Sequence, residues 1–283
     1  MTTRTWFITG ASRGIGLELA RAALAAGHRV VATSRRGEAV AQALGEQEAL
    51  LALDLDVTDR AQIAAAVAAA HDRFGAIDVL VNNAGYGQLG VFEETTDAEA
   101  RAQFETNVFG LLETTRAVLP LMRAQRRGHV INVSSIGGIT GAASGSLYCA
   151  SKFAVEGFSV SLADEVRELG IHVTVVGPGF IRTDFLDTRS VRFARSAIAD
   201  YAGLSARLRD YYGERNHRQA GDPVRLAQSI LQLADAPQPP QRFSAGSDAV
   251  EMLEARLAHL REELDGWRDL SRSVDGAWED AAD

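Results

Sequence analysis

Tyr148 and Lys152 stand four residues apart in 146–169, a stretch of helical period, so a helix sets both on one face. A free tyrosine titrates near pH ~10 and needs help to surrender its proton at neutral pH. A neighbouring ammonium stabilises the phenolate and lowers that value. Such a pair can donate a proton to a carbonyl oxygen or accept one from an alcohol. Alone, a Tyr-x3-Lys pair is more often an ordinary surface pair, so its meaning depends on the motifs around it. Ser134 and Ser135 follow the apolar run 130–133, at the carboxyl edge of a strand, where open α/β sheets bind ligands. A hydroxyl there can share charge that develops on a substrate oxygen.

A second pattern handles phosphate. Gly10-Ala11-Ser12-Arg13-Gly14-Ile15-Gly16 lies between the apolar run 6–9 and the helical stretch 15–26. Glycine serves where the chain turns tightly or where a Cβ would block a pyrophosphate. The helix that follows offers free N–H groups and the positive end of its dipole. In a dinucleotide site the adenosine ribose is read about 20 residues on, at the end of the next strand. That place holds Thr33-Ser34-Arg35-Arg36, with no acid before Glu38. Arg35 presents a planar fork suited to a 2′-phosphate, and Arg13 can assist. The competing reading is that both are solvated surface charges. The missing acid predicts NADP(H) as the preferred cofactor, with NAD possible.

These residues need a scaffold. Apolar runs at 6–9, 30–33, 49–53, 79–81, 130–133 and 173–176 have the length and β-branched content of buried strands. Helical stretches at 15–26, 60–74, 98–124 and 146–169 alternate with them. That alternation implies right-handed crossovers. The expected fold class is α/β, a doubly wound parallel sheet (Rossmann-like) flanked by helices, with a lid segment and a C-terminal amphipathic helix. The chain divides into 1–246, a dinucleotide-binding and catalytic domain with a lid within 180–221, and 247–283, a C-terminal helical extension. In the extension Val250, Leu253, Leu257, Leu260, Leu264 and Trp267 repeat at spacings of three and four, a narrow stripe on a helix over about 247–270. The stripe must lie on its own domain, covering the substrate cleft, or on another subunit.

Tyr148-Cys149-Ala150-Ser151-Lys152, together with 9–16, Asn82-Asn83-Ala84-Gly85, Thr106-Asn107-Val108-Phe109-Gly110 and Pro178-Gly179, resembles the short-chain dehydrogenases/reductases. The resemblance runs from the first strand to Thr183, roughly two thirds of the chain, and its motifs occur in order at family-like separations. The phrasing at 82–87 and 178–185 looks closest to the 17β-hydroxysteroid-dehydrogenase-like subgroup. The resemblance implies an NAD(P)-dependent oxidoreductase that interconverts a carbonyl and an alcohol, with Tyr148 as general acid/base. It selects Ser135, by its separation from Tyr148, as the catalytic serine, and leaves Ser134 structural. It makes Lys152 a partner of the nicotinamide ribose and gives Asn107 a water linked to that lysine. Gly10, Ser12, Arg13, Gly14, Ile15 and Gly16 become the phosphate loop. Asp56 and Val57 resemble the pair that contacts adenine, while Asp59 is equally a helix-start acid. Asn83, Ala84 and Gly85 would line the cofactor, with Asn82 bracing strands, and Ile181 and Thr183 would close over the carboxamide. The family commonly forms dimers or tetramers, so a homodimer or homotetramer is expected.

Composition narrows the alternatives. A net charge of −8 argues against a general nucleic-acid binder. No apolar stretch approaches membrane-spanning length. Cys149, a single cysteine, fits a reducing compartment, and Met1 runs into Trp6-Phe7-Ile8 without a leader pattern, so a cytoplasmic location is expected. Cys149 follows Tyr148 by about 100° round a helix and is expected to face elsewhere as buried filler. The histidines lack ligand spacing, and no metal is assigned. Phe185, Leu186, Phe193, Ile198, Tyr201, Leu204, Tyr211 and Tyr212 either enclose an apolar, lipid-like small-molecule substrate or form the core of lid helices. Arg182, Arg189, Arg192, Arg195, Arg207, Arg209, Arg215 and Arg218 are expected to be mostly solvated, a subset favouring an anionic group on the substrate. Two other classes compete: an isomerase or lyase of the same fold, and a non-enzymatic NADP-binding sensor. The joint presence of Ser135, Tyr148 and Lys152 counts against the sensor.

Overall fold

The computed structural model describes residues 2–187 and 190–276. The first half of the chain forms β1 (Thr5–Ile8), α1 (Gly14–Ala25), β2 (Arg29–Ser34), α2 (Gly37–Leu44), β3 (Leu50–Asp54), α3 (Arg60–Phe74) and β4 (Val79–Asn82). There follow β5 (Gly87–Leu89), α4 (Asp97–Phe104), α5 (Gly110–Gln125), β6 (Gly128–Val133), α6 (Ser146–Val166), β7 (Ile171–Pro178), β8 (Val191–Phe193), α7 (Ala202–Arg215), α8 (Pro223–Asp235), β9 (Arg242–Ala245) and α9 (Ser247–Arg272). Seven parallel strands run in the order β3-β2-β1-β4-β6-β7-β9, and β5 pairs with β8 in a separate small sheet.

The strands are apolar on both faces because helices cover both. In β1, Trp6 and Ile8 join Leu19 of α1 and Ile230 of α8 on one side, while Phe7 meets Ile63 of α3 and Val118 of α5 on the other. Strand order reverses between β1 and β4, and ligands bind at that crevice in open α/β sheets. The loops that leave these two strands are the glycine loop and Asn83-Ala84-Gly85. Asn82 donates from Nδ2 to Thr115 Oγ1 and Asn132 Oδ1, both at 2.9 Å, and so ties β4 to α5 and β6.

Local pattern fails at three places. The expected helix 98–124 is broken by a π turn, Glu105–Phe109, between α4 and α5. Such a turn inserts a residue into the helical ladder and occurs often at functional sites; here it buries Asn107. The seventh strand, β9, is missing from the expected set because its residues, Arg242-Phe243-Ser244-Ala245, contain no apolar run. The segment 180–221, read only as a lid, also contains the strand β8 and the helix α7.

The tail forms the expected helix, but its stripe stays largely exposed, with Leu253 half-buried. Ala249 is buried and Asp248 accepts from Phe180 N at 2.7 Å, whereas Leu257 is 57% exposed and Trp267 65%. The end of the extension, 277–283, lies outside the described residues, as does Arg189 of the lid. No helix among the described residues is long and apolar enough to cross a membrane.

His129 in β6 is buried beside Thr174 of β7, with Nε2 2.9 Å from Thr174 Oγ1. The Thr174 hydroxyl donates to Pro240 O at 2.8 Å, so the imidazole must supply the proton between them. Burial first, then His172 and Arg4, push the His129 pKa down from 6.5 to about 3. The unfolded chain therefore binds a proton that the folded one refuses between these values, and stability falls as pH drops through that window. Denaturant titrations should show this loss approaching ~1.4 kcal/mol per pH unit from His129. His129→Gln should flatten the slope by that amount, and an unchanged slope would refute the assignment.

Candidate active site

One cavity of about 740 Å³ opens at the carboxyl edge of the sheet, and most of the expected site residues line it. Gly10, Ser12, Arg13, Gly14 and Ile15 form its floor on the β1 side. Gly10 and Gly14 have φ of 68° and 56°, a region that L side chains rarely adopt. Gly16 lies behind the wall: a Cβ there would come within 2.5 Å of Asn83 Nδ2 and 2.6 Å of Gly10 O. That crowding exists because Asn83 donates from Nδ2 to Thr9 O at 2.9 Å and Gly10 O at 3.0 Å, fastening β4's loop to β1's. No side chain caps the start of α1, and its first turn carries no acid, so its N–H groups are open to an anion. Arg13 spans the cleft to Ser190 Oγ at 2.8 Å, joining the glycine loop to the lid.

Arg35 lines the far end with Arg36, Asp56 and Val57. The nearby acids are already engaged. Asp54 Oδ1 accepts from Gly37 N at 2.5 Å at the start of α2, and Asp56 Oδ1 accepts from Thr58 N and Oγ1 at 2.9 and 2.7 Å. Asp59 caps α3 by accepting from Ala61 N and Gln62 N. Ala84 and Gly85 line the middle of the cavity, and Ile181 and Thr183 its opposite wall.

Tyr148, Lys152 and Ser135 face the same cavity. Ser135 Oγ accepts from Gly137 N at 3.0 Å, which fixes the hydroxyl at the end of β6, and its pull on Tyr148 favours the phenolate. Burial pushes the Tyr148 pKa up to about 12, against the pull of Ser135. This differs from the sequence expectation of a phenol already eased by Lys152. The lysine Nζ lies 5.8 Å from the Tyr148 ring centroid and donates to Val133 O at 2.9 Å. Burial also lowers the Lys152 pKa to about 8, with Glu156 opposing. Asn107 stands one layer behind the wall. It donates from Nδ2 to Tyr86 O at 3.0 Å and Ser151 Oγ at 3.2 Å, and its Oδ1 accepts from Tyr86 N at 3.1 Å. A Cβ on Gly85 would sit 3.2 Å from Asn107 Oδ1 and 3.8 Å from Lys152 Nζ, so both side chains approach that glycine.

Comparison with known proteins agrees with this geometry. The family model for short chain dehydrogenases matches residues 4–192. The chain belongs to the short-chain dehydrogenase family. It is 38% identical over 271 residues to the oxidoreductase BOA17 of Botryotinia fuckeliana, covering 95% of this chain and 98% of that one. It is 38% identical over 239 residues to the 3-ketodihydrosphingosine reductase of Bacteroides thetaiotaomicron, covering 84% and 86%. A solved short-chain dehydrogenase from Streptomyces avermitilis superposes with a TM-score of 0.89 at 41% identity, covering 97% of this chain and 100% of that one. The protein is thus an NAD(P)-dependent oxidoreductase with the family's Rossmann-like sheet.

The substrate side of this dehydrogenase departs from the sequence reading. Of the lid residues, Phe185, Leu186 and Tyr212 line the cavity, and the Phe185 ring lies 5.8 Å from that of Tyr148. Tyr211 and Phe193 instead pack on Tyr212, at 5.3 and 6.5 Å between centroids. The lid aromatics thus divide between those that line the cavity and those that pack on one another. Several lid arginines, though exposed, lie against rings: Arg215 over Tyr211 at 3.6 Å, Arg192 over Tyr86 at 4.6 Å and Arg209 over Phe193 at 6.0 Å. Cys149 does not face away, since it lines the cavity, but burial raises its pKa and keeps it a thiol. Met252 of α9 also reaches the cavity and was invisible in the sequence because it falls off the apolar stripe. The fold gathers Asp184, Asp187 and His217 within 4.8 Å, although no ligand spacing announces them. There Asp187 Oδ1 takes hydrogen bonds from Asn216 Nδ2 at 2.7 Å and from His217 Nε2 at 3.0 Å.

Proposed function

We propose that the protein reduces a ketone or aldehyde to an alcohol, or runs the reverse, on an apolar or lipid-like substrate, with NADP(H) preferred. The carrying observation is that Tyr148, Ser135 and Lys152 face the same cavity as the glycine loop and the uncapped start of α1. The cradle suits a dinucleotide: Cβ atoms are excluded at Gly10 and Gly16, and Arg35 and Arg36 stand at the far end. When bound, the nicotinamide supplies or takes up the hydride. Tyr148 holds the proton that a reduced carbonyl oxygen needs, and Ser135 steadies that oxygen. Ile181 and Thr183 close the nicotinamide end. Phe185, Leu186, Tyr212 and Met252 give the substrate an apolar wall, and a sphingoid-base ketone is the substrate that the Bacteroides relative's name describes.

A cofactor-turnover assay against ketones, aldehydes, steroids and acyl thioesters tests the reading. NADPH consumption with product formation supports it. Conversion without net NADPH loss indicates an isomerase or lyase, and no turnover with tight binding indicates a sensor.

The exposed stripe of α9 belongs in a subunit contact with a second copy, because a heptad row of apolar side chains left in water is unfavourable. Ending the chain after Arg256 keeps Asp248 and Met252 but removes Leu257, Leu260, Leu264 and Trp267. Light scattering should then report a smaller particle, and an unchanged mass would refute the contact.

A further inference from the structure

Lys152 and Glu156 occupy successive turns of α6, and Tyr148 lies one turn before the lysine. Glu156 turns inward, with a side chain only 12% exposed, and its Oε2 lies 3.3 Å from Arg242 Nε of β9. Arg242 is itself mostly covered at 22% and donates from Nη1 to Ser244 Oγ at 2.9 Å. A Cβ on Gly138 would meet Ser134 Oγ at 2.6 Å and Glu156 Oε1 at 2.9 Å. The carboxylate therefore sits directly beneath the loop that carries Ser135. Two charges are seldom taken out of water without a task, because desolvation costs several kcal/mol per ion. Nothing in the proton transfer assigned to Tyr148 uses them.

We infer that Glu156 is a positioning residue for Lys152: its carboxylate, anchored by Arg242 and one helical turn beyond the lysine on the side away from Tyr148, favours the charged ammonium across the buried interior. Lys152 has one carbonyl partner, Val133 O, and its burial works against its charge. Glu156 supplies the opposing electrostatic pull. Burial raises the Glu156 pKa as well, and Arg242, then Ser134 and Lys152, bring it back down. The arrangement is thus a relay of charges running from β9 through α6 to the tyrosine. The titratable groups that face Lys152 are Tyr148 and Glu156; Arg242 faces Glu156, and Asn107 and the Val133 carbonyl contribute dipoles that do not titrate. Without the carboxylate, Lys152 should lose its proton at lower pH, and the site should lose the ammonium one turn from Tyr148.

The inference rests on Lys152 serving Tyr148 as proposed above. The test is the pH profile of kcat for Glu156→Gln, using NADPH and the best carbonyl compound of the panel. The alkaline limb should move down by about one pH unit, the low end of the effect of a nearby opposite charge. A profile that keeps its shape while the rate merely drops would overturn the inference and leave Glu156 a structural residue. Glu156→Gln strands Arg242 in the interior, so Glu156→Gln/Arg242→Met, which removes both charges, is measured beside it and should show the same displacement. Tyr148→Phe and Lys152→Met are run on the same substrate. If they retain turnover, the functional reading fails; if they lose it while the limb stays in place, only the role of Glu156 fails.

Discussion

Tyr148→Phe should lower hydride transfer by roughly 10²–10⁴-fold, the usual worth of a positioned general acid or base, while NADPH binds nearly as before. The phenyl ring keeps the shape that packs 5.8 Å from Phe185, so the cavity survives and only the hydroxyl is lost. With its pKa pushed up to about 12, Tyr148 is protonated at neutral pH, which is the state a carbonyl reduction requires. Alcohol oxidation needs the phenolate, so its rate should climb with pH across the range in which reduction is flat. Ser135→Ala removes a hydroxyl that lines the cavity with Tyr148, and loss of a donor to a developing oxyanion commonly costs about 10²–10³-fold. Stopped-flow traces of NADPH oxidation with fluorescence titration of the cofactor separate chemistry from binding. Wild-type turnover by Tyr148→Phe on a processed substrate would remove the proposed mechanism.

Arg35→Asp should reverse the cofactor preference. Arg35 and Arg36 line the end of the cavity next to α2, and the neighbouring carboxylates are held by backbone: Asp54 by Gly37 N and Asp56 by Thr58 N. A 2′-phosphate entering there meets two guanidinium groups, with Asp54 and Asp56 each held through one oxygen. Hydrogen bonds to charged groups contribute about 1.5–3 kcal/mol, so losing one lowers NADPH affinity by roughly 10- to 100-fold. The new carboxylate repels a phosphate and accepts from a 2′-hydroxyl, which improves NADH in the same step. Dissociation constants for both cofactors, on wild type and variant, give the ratio. Equal or tighter NADH binding by the wild type would sink the assignment, and an unchanged ratio in the variant would move the preference to Arg36 or Arg13.

Most of the scaffold and much of the site were legible in the chain because they are written in local patterns. Apolar runs covered on both faces read as parallel strands, and α3 begins and ends where its periodicity does. The glycines at 10 and 14 announce a backbone that other residues avoid, and the Tyr148–Lys152 spacing puts two groups on one helical face whatever surrounds them. Packing between distant segments decided the rest. The π turn that buries Asn107 changes a ladder of hydrogen bonds without disturbing the apolar pattern. The opening residue of β9 is a charged Arg242 because it pairs with Glu156 of α6, an arrangement that neither segment signals alone. Cys149 lines the cavity because Gly137 and Gly145 leave room beside it, with Sγ 3.4 and 3.2 Å from where their Cβ atoms would stand. Periodicity likewise predicted that α9 has an apolar stripe, but it could not say what the stripe meets. A repeat of three and four measures only which side chains share a face. The surface that covers that face, the dielectric around Lys152 and the partner of each buried charge depend on residues brought together from across the sheet, and only the folded chain sets them.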